Sequence, residues 1–198
     1  MVDARAARPR GSAREAVLLA VLEIAAERGI DAVTHRRVAE RAGVSPGTTT
    51  HHFGSRDELL HSALRFYLER GDRWLLRIAE RARSTTDDPV ERLGRFVEEA
   101  IGREFTDERL VRAEHELLLY ASGHDELAAD VRAWDARWIA ITAADLEAAG
   151  LPRPVEGART ILNVVRGFEM ERLLDPALNS ADVRRRIDWL LTPRESTG

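Results

Sequence analysis

From Val17 to Leu191 the apolar residues of this chain recur at three- and four-residue intervals, and nowhere do they alternate with polar residues over the length of a strand. A period near 3.6 admits only helices, so the expectation is an all-α fold of about nine helices, and glycine, proline and capping residues mark where each ends. Residues 13–28 carry Val17, Leu18, Val21, Leu22, Ile24 and Ala25 on one face and stop at Gly29. Thr34 caps a short helix through Ala42 that stops at Gly43, and Ser45 followed by Pro46 opens another of about the same length, ending near Phe53. Ser55 and Glu58 form an S-x-x-E capping box for a long helix to about Ala82. After the polar break Ser84 to Pro89, further helices are predicted over 90–101, 106–121, 124–149, 154–174 and 180–191, the last ended by Pro193. No internal repeat is visible.

With 198 residues the chain can bury a substantial core without staples, and zero Cys excludes both a disulfide framework and a thiolate zinc site. The Arg-rich start has no apolar stretch of signal-peptide type and no 18 apolar residues run together, so a cytoplasmic protein with no membrane partner is expected. The net charge of -4 is unevenly spread: residues 1–53 hold eight Arg against six acids, residues 54–198 hold 22 against 28. A basic head on an acidic body is the pattern of a chain that meets phosphate at one end only.

The run GVSPG at 43–47 satisfies G-x-S-x-G, the pattern of a nucleophilic serine elbow. That elbow needs a strand before the serine, and Arg36 to Ala42 is a capped helix instead, so Ser45 reads as a helix cap and the chain as no enzyme. Two helices of about eight residues separated by three, with Ala39 at their crossing and Gly43 in the turn, form a helix-turn-helix. Its second helix turns Thr48, Thr50 and His51 outward, short hydrogen-bonding groups suited to base edges and phosphates, while Phe53 packs inward. Thr34 stands at a helix N-terminus as a cap or a phosphate ligand, and Arg36, one turn on, is placed for a bidentate contact with guanine. Arg5, Arg8 and Arg10 are candidates for a minor-groove arm. His51 and His52 point about 100° apart on a helix and cannot chelate one metal ion; no metal and no cofactor are expected. His52 reads as a histidine packed near Phe53.

Residues 14–64 strongly resemble the N-terminal DNA-binding domain of the TetR family of transcriptional regulators, above all in A-E-R-G, in R-x-V-A-E-R-A-G-V-S and in H-H-F-x-S-R-x-E-L-L. The resemblance implies an arm at 1–12, a helix-turn-helix domain at 13–54 whose residues 46–52, Pro46 and Gly47 included, enter the major groove, and a ligand-binding and dimerisation domain at 55–198. It gives Arg56 a phosphate contact. It also implies a homodimer on double-stranded palindromic operator DNA, most simply a repressor released by a small-molecule effector. Where the family usually carries Leu-Tyr this chain has Thr49-Thr50, which replaces a phosphate-contacting phenol by a shorter hydroxyl and puts the contacts of the second helix in question.

In the remaining chain, Trp134, Trp138 and Ile141 form one apolar stripe and Leu110, Leu117, Leu118 and Ala121 another, core first and pocket wall second. Glu114, Arg166 and Glu169 are charged residues at apolar-face spacing, whose burial without partners would be costly. They either pair with one another or line a ligand pocket, with Phe96, Leu118, Trp134 and Trp138 as its candidate walls. The family's two last long helices build its dimer interface, which assigns Phe168, Leu173, Ile187, Trp189 and Leu190 here. The rival reading is an all-helical ligand-binding or scaffold protein whose helix-turn-helix meets no DNA.

Overall fold

The computed structural model describes the backbone of residues 13–106 and 108–191, and the side chains of these residues other than 103–106, 108 and 110. The candidate arm at 1–12 and the Leu110 side chain lie outside that description. Among the described residues nine α-helices follow in order: α1 (Ala13–Arg28), α2 (His35–Ala42), α3 (Pro46–His52), α4 (Arg56–Thr85), α5 (Pro89–Thr106), α6 (Glu108–Ser122), α7 (Asp125–Ala148), α8 (Pro154–Leu174) and α9 (Ser180–Leu191), with a single 3-10 turn at Ile30–Ala32. No strand occurs among the described residues.

Local chemistry explains the boundaries at the head. Thr34 Oγ1 accepts from the Arg37 N–H at 3.3 Å and opens α2. At its other end Gly43 takes the left-handed conformation, φ 69°, so that its N–H reaches the Glu40 carbonyl and the Val44 N–H the Ala39 carbonyl, which satisfies the last carbonyls of α2. Ser45 Oγ accepts from the Thr48 N–H at 3.2 Å, and Pro46 presets the first turn of α3. At α4 the Ser55 hydroxyl accepts from the Glu58 N–H, while the Glu58 carboxylate reaches back past the cap to the Gly54 N–H at 2.7 Å.

Two apolar clusters sit end to end. The first joins α1 and α2 with Phe53 and the N-terminal half of α4 (Leu59, Leu60, Ala63, Leu64, Leu68), and it is closed by Leu117 and Ala121 of α6 and Leu127 of α7. The core of the head therefore does not end at residue 54. The second joins the C-terminal half of α4 with α5, α7, α8 and α9 around Phe96, Trp138, Leu162 and Phe168. Helix α4 runs unbroken through both and is the one element that contributes heavily to each.

Nothing lies within 4 Å of the position a Cβ would take on Gly43, so a side chain there meets only backbone strain. Gly43→Ala is expected to lower unfolding free energy by roughly 1 kcal/mol, measured by urea denaturation, with the unfolding slope unchanged.

Candidate functional site

The helix-turn-helix presents a polar face. Thr34, Arg36, Ser45, Pro46, Gly47, Thr50 and His51 are exposed and Thr48 is half-buried. Three consecutive β-branched threonines are poor helix formers, and each has a local bond that offsets this. Thr48 Oγ1 lies 2.9 Å from Ser45 Oγ, Thr49 Oγ1 donates to the Pro46 carbonyl at 2.8 Å, and Thr50 Oγ1 to the Gly47 carbonyl at 3.2 Å. Thr49 is fully buried, its hydroxyl satisfied, in the place where the family carries an apolar residue. The Thr50 hydroxyl, with its proton turned inward, is left as an acceptor toward solvent. His52 is exposed rather than packed: its ring stands 6.2 Å from that of Phe53 but is not covered by it. Ser45 stands between two helices, with no strand before it.

The Arg56 side chain is tied to nearby backbone. Its Nε donates to the Val33 carbonyl at 3.0 Å and its Nη2 to the Ile30 carbonyl at 2.7 Å. The guanidinium is committed to the backbone that leads into α2, and so holds the start of α4 to the entry of the helix-turn-helix. From the other side, the Glu116 carboxylate of α6 accepts from the Ile30 N–H at 3.1 Å. The short connector before α2 is thus gripped by α4 and α6 together, a signal no local pattern in the sequence carries.

The second site lies at the seam between the two apolar clusters. A cavity of about 40 Å³ is lined by Tyr67, Gly71, Trp74 and Leu75 of α4, Ala100 of α5, Glu114 of α6, Trp134 and Trp138 of α7, and Leu162, Val165, Arg166 and Glu169 of α8. Glu114, Trp134, Trp138, Arg166 and Glu169 are thus brought together as the sequence suggests. Phe96 is not on the wall: it is 1 % exposed and lies behind Trp138, ring centroids 5.6 Å apart. Leu118 lines a separate shallow depression with Val131, Arg132 and Arg166. Tyr67, Gly71 and Trp74, missed from the sequence, recur at four and three residues along α4, the same spacing that marks its core face.

The hydrogen-bonded ion pair of the cavity's arginine is made with a residue outside the cavity lining. Arg166 donates through Nη1 and Nη2 to Asp135 of α7 at 3.0 and 2.5 Å. Glu114, 5 % exposed, accepts from the Tyr67 hydroxyl. Burial, and after it the negative charge of Glu169, push the Glu114 carboxyl up to about 7.

On α8 and α9, Phe168 and Ile187 are fully buried within the protomer, with the Arg186 guanidinium 5.1 Å over the Phe168 ring. Both pack in the core of the protomer. Leu173 is half-buried and Trp189 and Leu190 are exposed, beside Met170 and Leu174 on the same side of α8. An open groove of about 620 Å³ runs between the two helices, past Gly167, Phe168, Trp189 and Leu190.

A capped helix-turn-helix that offers hydroxyls and an arginine to solvent, carried on a helical body with a buried cavity, defines a DNA-binding regulator of the one-component kind. Residues 17–63 match the model of bacterial regulatory proteins of the tetR family and residues 84–193 that of the tetracyclin repressor-like C-terminal domain; the chain belongs to the TetR family. It is 38% identical over 77 residues to the HTH-type transcriptional repressor KstR2 of Mycobacterium tuberculosis, a match that covers 37% of this chain and 36% of that protein, little more than a third of its length. A transcriptional regulator from Rhodococcus sp. RHA1 superposes with a TM-score of 0.78 at 25% identity, over 90% of this chain and 94% of that one. The multidrug binding protein EbrR complexed with imidazole does so with a TM-score of 0.66 at 26% identity, over 96% and 100% of the two chains. No helix among the described residues is long and apolar enough to cross a membrane.

The raised Glu114 carboxyl has a consequence for stability. Unfolded, it titrates near 4.5; folded, near 7, so its contribution is complete below about pH 4.5 and is lost as pH rises through 7. Thermal unfolding followed by circular dichroism should show stability falling across that range by up to about 3 kcal/mol, a fall that Glu114→Gln flattens.

Proposed function

We propose that this protein is a ligand-responsive repressor that binds a palindromic operator as a homodimer and is released from it by a small molecule held in the seam cavity. The observation that carries this reading is the exposed polar face of α2 and α3, where Arg36, Thr48, Thr50 and His51 stand together on a helix-turn-helix fixed by caps at Thr34 and Ser45. Arg36 is the candidate for a guanine edge, and Thr48, Thr50 and His51 for base edges and phosphates, with Pro46 and Gly47 letting the backbone approach the groove. The name of KstR2 as a repressor, and of EbrR as a multidrug binding protein holding imidazole, support the repressor and ligand parts of the reading. Release follows if a ligand alters the seam, because α4 and α6 wall the cavity with Tyr67 and Glu114 and hold the head with Arg56 and Glu116.

Dimerisation is assigned to α8 and α9. Gly167, Met170 and Leu174 are exposed at three- and four-residue spacing, with Trp189 and Leu190 alongside, an apolar strip that a second copy would cover.

A gel shift on the gene's own upstream region, at stated salt, should give a sequence-specific complex with the ligand-free protein; no specific complex would favour a scaffold that meets no DNA. Arg36→Ala and Thr48→Ala are expected to weaken specific binding by about 1–3 kcal/mol while non-specific binding changes less. Equal losses on both kinds of DNA would remove them from the base-reading set. Leu174→Arg with Met170→Arg should convert the dimer to a monomer in sedimentation equilibrium, and a dimer unchanged by both would move the interface elsewhere.

A further inference from the structure

Among the described residues the seam cavity is short of positive charge. Its polar groups come from three helices: Tyr67 on α4, Glu114 on α6, and Arg166 and Glu169 on α8, with His115 of α6 behind Glu169. Among the described residues one guanidinium lies on its wall, that of Arg166, which gives Nη1 and Nη2 to the two oxygens of Asp135 and keeps a buried Nε–H without a partner. Two further carboxylates share the same space. Glu114 has the Tyr67 hydroxyl, whereas Oε2 of Glu169 is buried without a hydrogen bond in a residue only 6 % exposed. His115 Nε2 stands 3.4 Å away and is itself without a hydrogen bond. A buried carboxylate oxygen with no donor is costly, and a charge of opposite sign is what removes the cost.

The remaining lining fits that charge. Trp74, Trp134 and Trp138 offer indole rings around the two carboxylates, with the Tyr67 ring 6.4 Å from that of Trp134. Indole faces attract organic cations, and a dry site strengthens the attraction. An anionic ligand would meet the Glu169 carboxylate, a Glu114 that is charged above about pH 7, and a guanidinium whose charge is already matched by Asp135. A neutral apolar ligand would fill space and leave Glu169 as it is. In the empty cavity a proton does the work of a cation, since burial beside Glu169 pushes the Glu114 carboxyl up to about 7.

We propose that the seam cavity takes a lipophilic organic cation, with Glu114 and Glu169 as its counter-charge and Trp134 and Trp138 as its walls. The proposal rests on the reading of this cavity as the effector site. At about 40 Å³ the cavity now holds little more than the ~30 Å³ share of one water molecule. An aromatic cation enters by parting Trp134 from α4, where the indole rests 3.3 Å from the position a Cβ would take on Gly71. The bound state therefore has α4 and α7 further apart at the seam.

The test is calorimetric titration of the full-length protein, without DNA, by three probes of one size: N-methylquinolinium, 1-methylnaphthalene and 1-naphthoate. The permanent cation should bind roughly tenfold or more tightly than either of the others. Its affinity should rise by roughly tenfold from pH 6 to pH 8, because the proton on Glu114 competes with it and leaves across that range. Glu114→Gln should remove the pH dependence, and Glu169→Gln should weaken the cation by roughly tenfold while leaving 1-methylnaphthalene unchanged. Equal binding of cation and neutral probe, preference for 1-naphthoate, or no heat from the cation at millimolar concentration would each overturn the proposal, and all three are read on the unmodified protein. A gel shift with the same cation separates the two readings. Binding in the calorimeter without release of operator DNA upholds the cation site and sinks the effector role; release by a neutral or anionic compound alone does the reverse.

Discussion

The continuity of α4 is the constraint on which the other features depend. Thirty residues at about 1.5 Å rise make a rod of roughly 45 Å, buried by Leu59 to Leu68 in the core of the head and by Leu75 to Ala82 in the core of the body. A glycine near its centre would ordinarily weaken such a helix by about 1 kcal/mol relative to alanine. Gly71 is there because the Trp134 indole lies on the backbone at that point, so the weakest turn of the rod is also the wall of the cavity. A rod that belongs to two cores cannot tilt in one without moving in the other. The position of the helix-turn-helix is for that reason tied to whatever fills the seam.

Helix α6 supplies the second tie. Successive side chains on one turn go to different places: Glu114 into the cavity, Glu116 to the Ile30 N–H at the entry to α2, Leu117 into the core of the head. Arg56 holds the carbonyl side of the same connector. Each bond alone is worth about a kilocalorie, but together they fix the connector from two helices that both wall the cavity. The arginine thereby serves as a strut between the start of α4 and the connector into α2.

Much of this was legible in the sequence, because helix ends are written in local chemistry. Thr34, Gly43, Ser45-Pro46 and Ser55 act on their own neighbours, and the structure places α2, α3 and α4 where those residues say. Where α4 runs on past Ala82 to Thr85, the hydroxyls of Ser84 and Thr85 turn back to the Arg81 carbonyl and let a polar segment extend the helix. Partner choice across the fold was not legible. Arg166 faces Glu114 and Glu169 by period, yet it takes Asp135 from α7, and periodicity says only that a residue faces inward, not which helix meets it. The same limit moved Phe96 behind the wall, put Leu118 in a neighbouring depression, and made Phe168 and Ile187 core residues.

The triple threonine shows how the two levels meet. Thr49 has to be buried because α3 packs on α1 and α2 at that point, and its hydroxyl survives burial only by bonding to the carbonyl three residues back. Thr50, one position on, makes the same kind of bond at the surface, so its proton is spent on the helix and its oxygen faces outward as an acceptor. A tyrosine in that position would extend a donor well beyond the helix; Thr50 ends close to the backbone. Helix α3 thus offers mainly short side chains to solvent, while the exposed Arg36 of α2 is longer. On the proposed function, recognition depends on how closely α3 is brought to the groove, which makes the placement of the head by α4 and α6, rather than the length of its side chains, the quantity that a ligand in the seam would have to change.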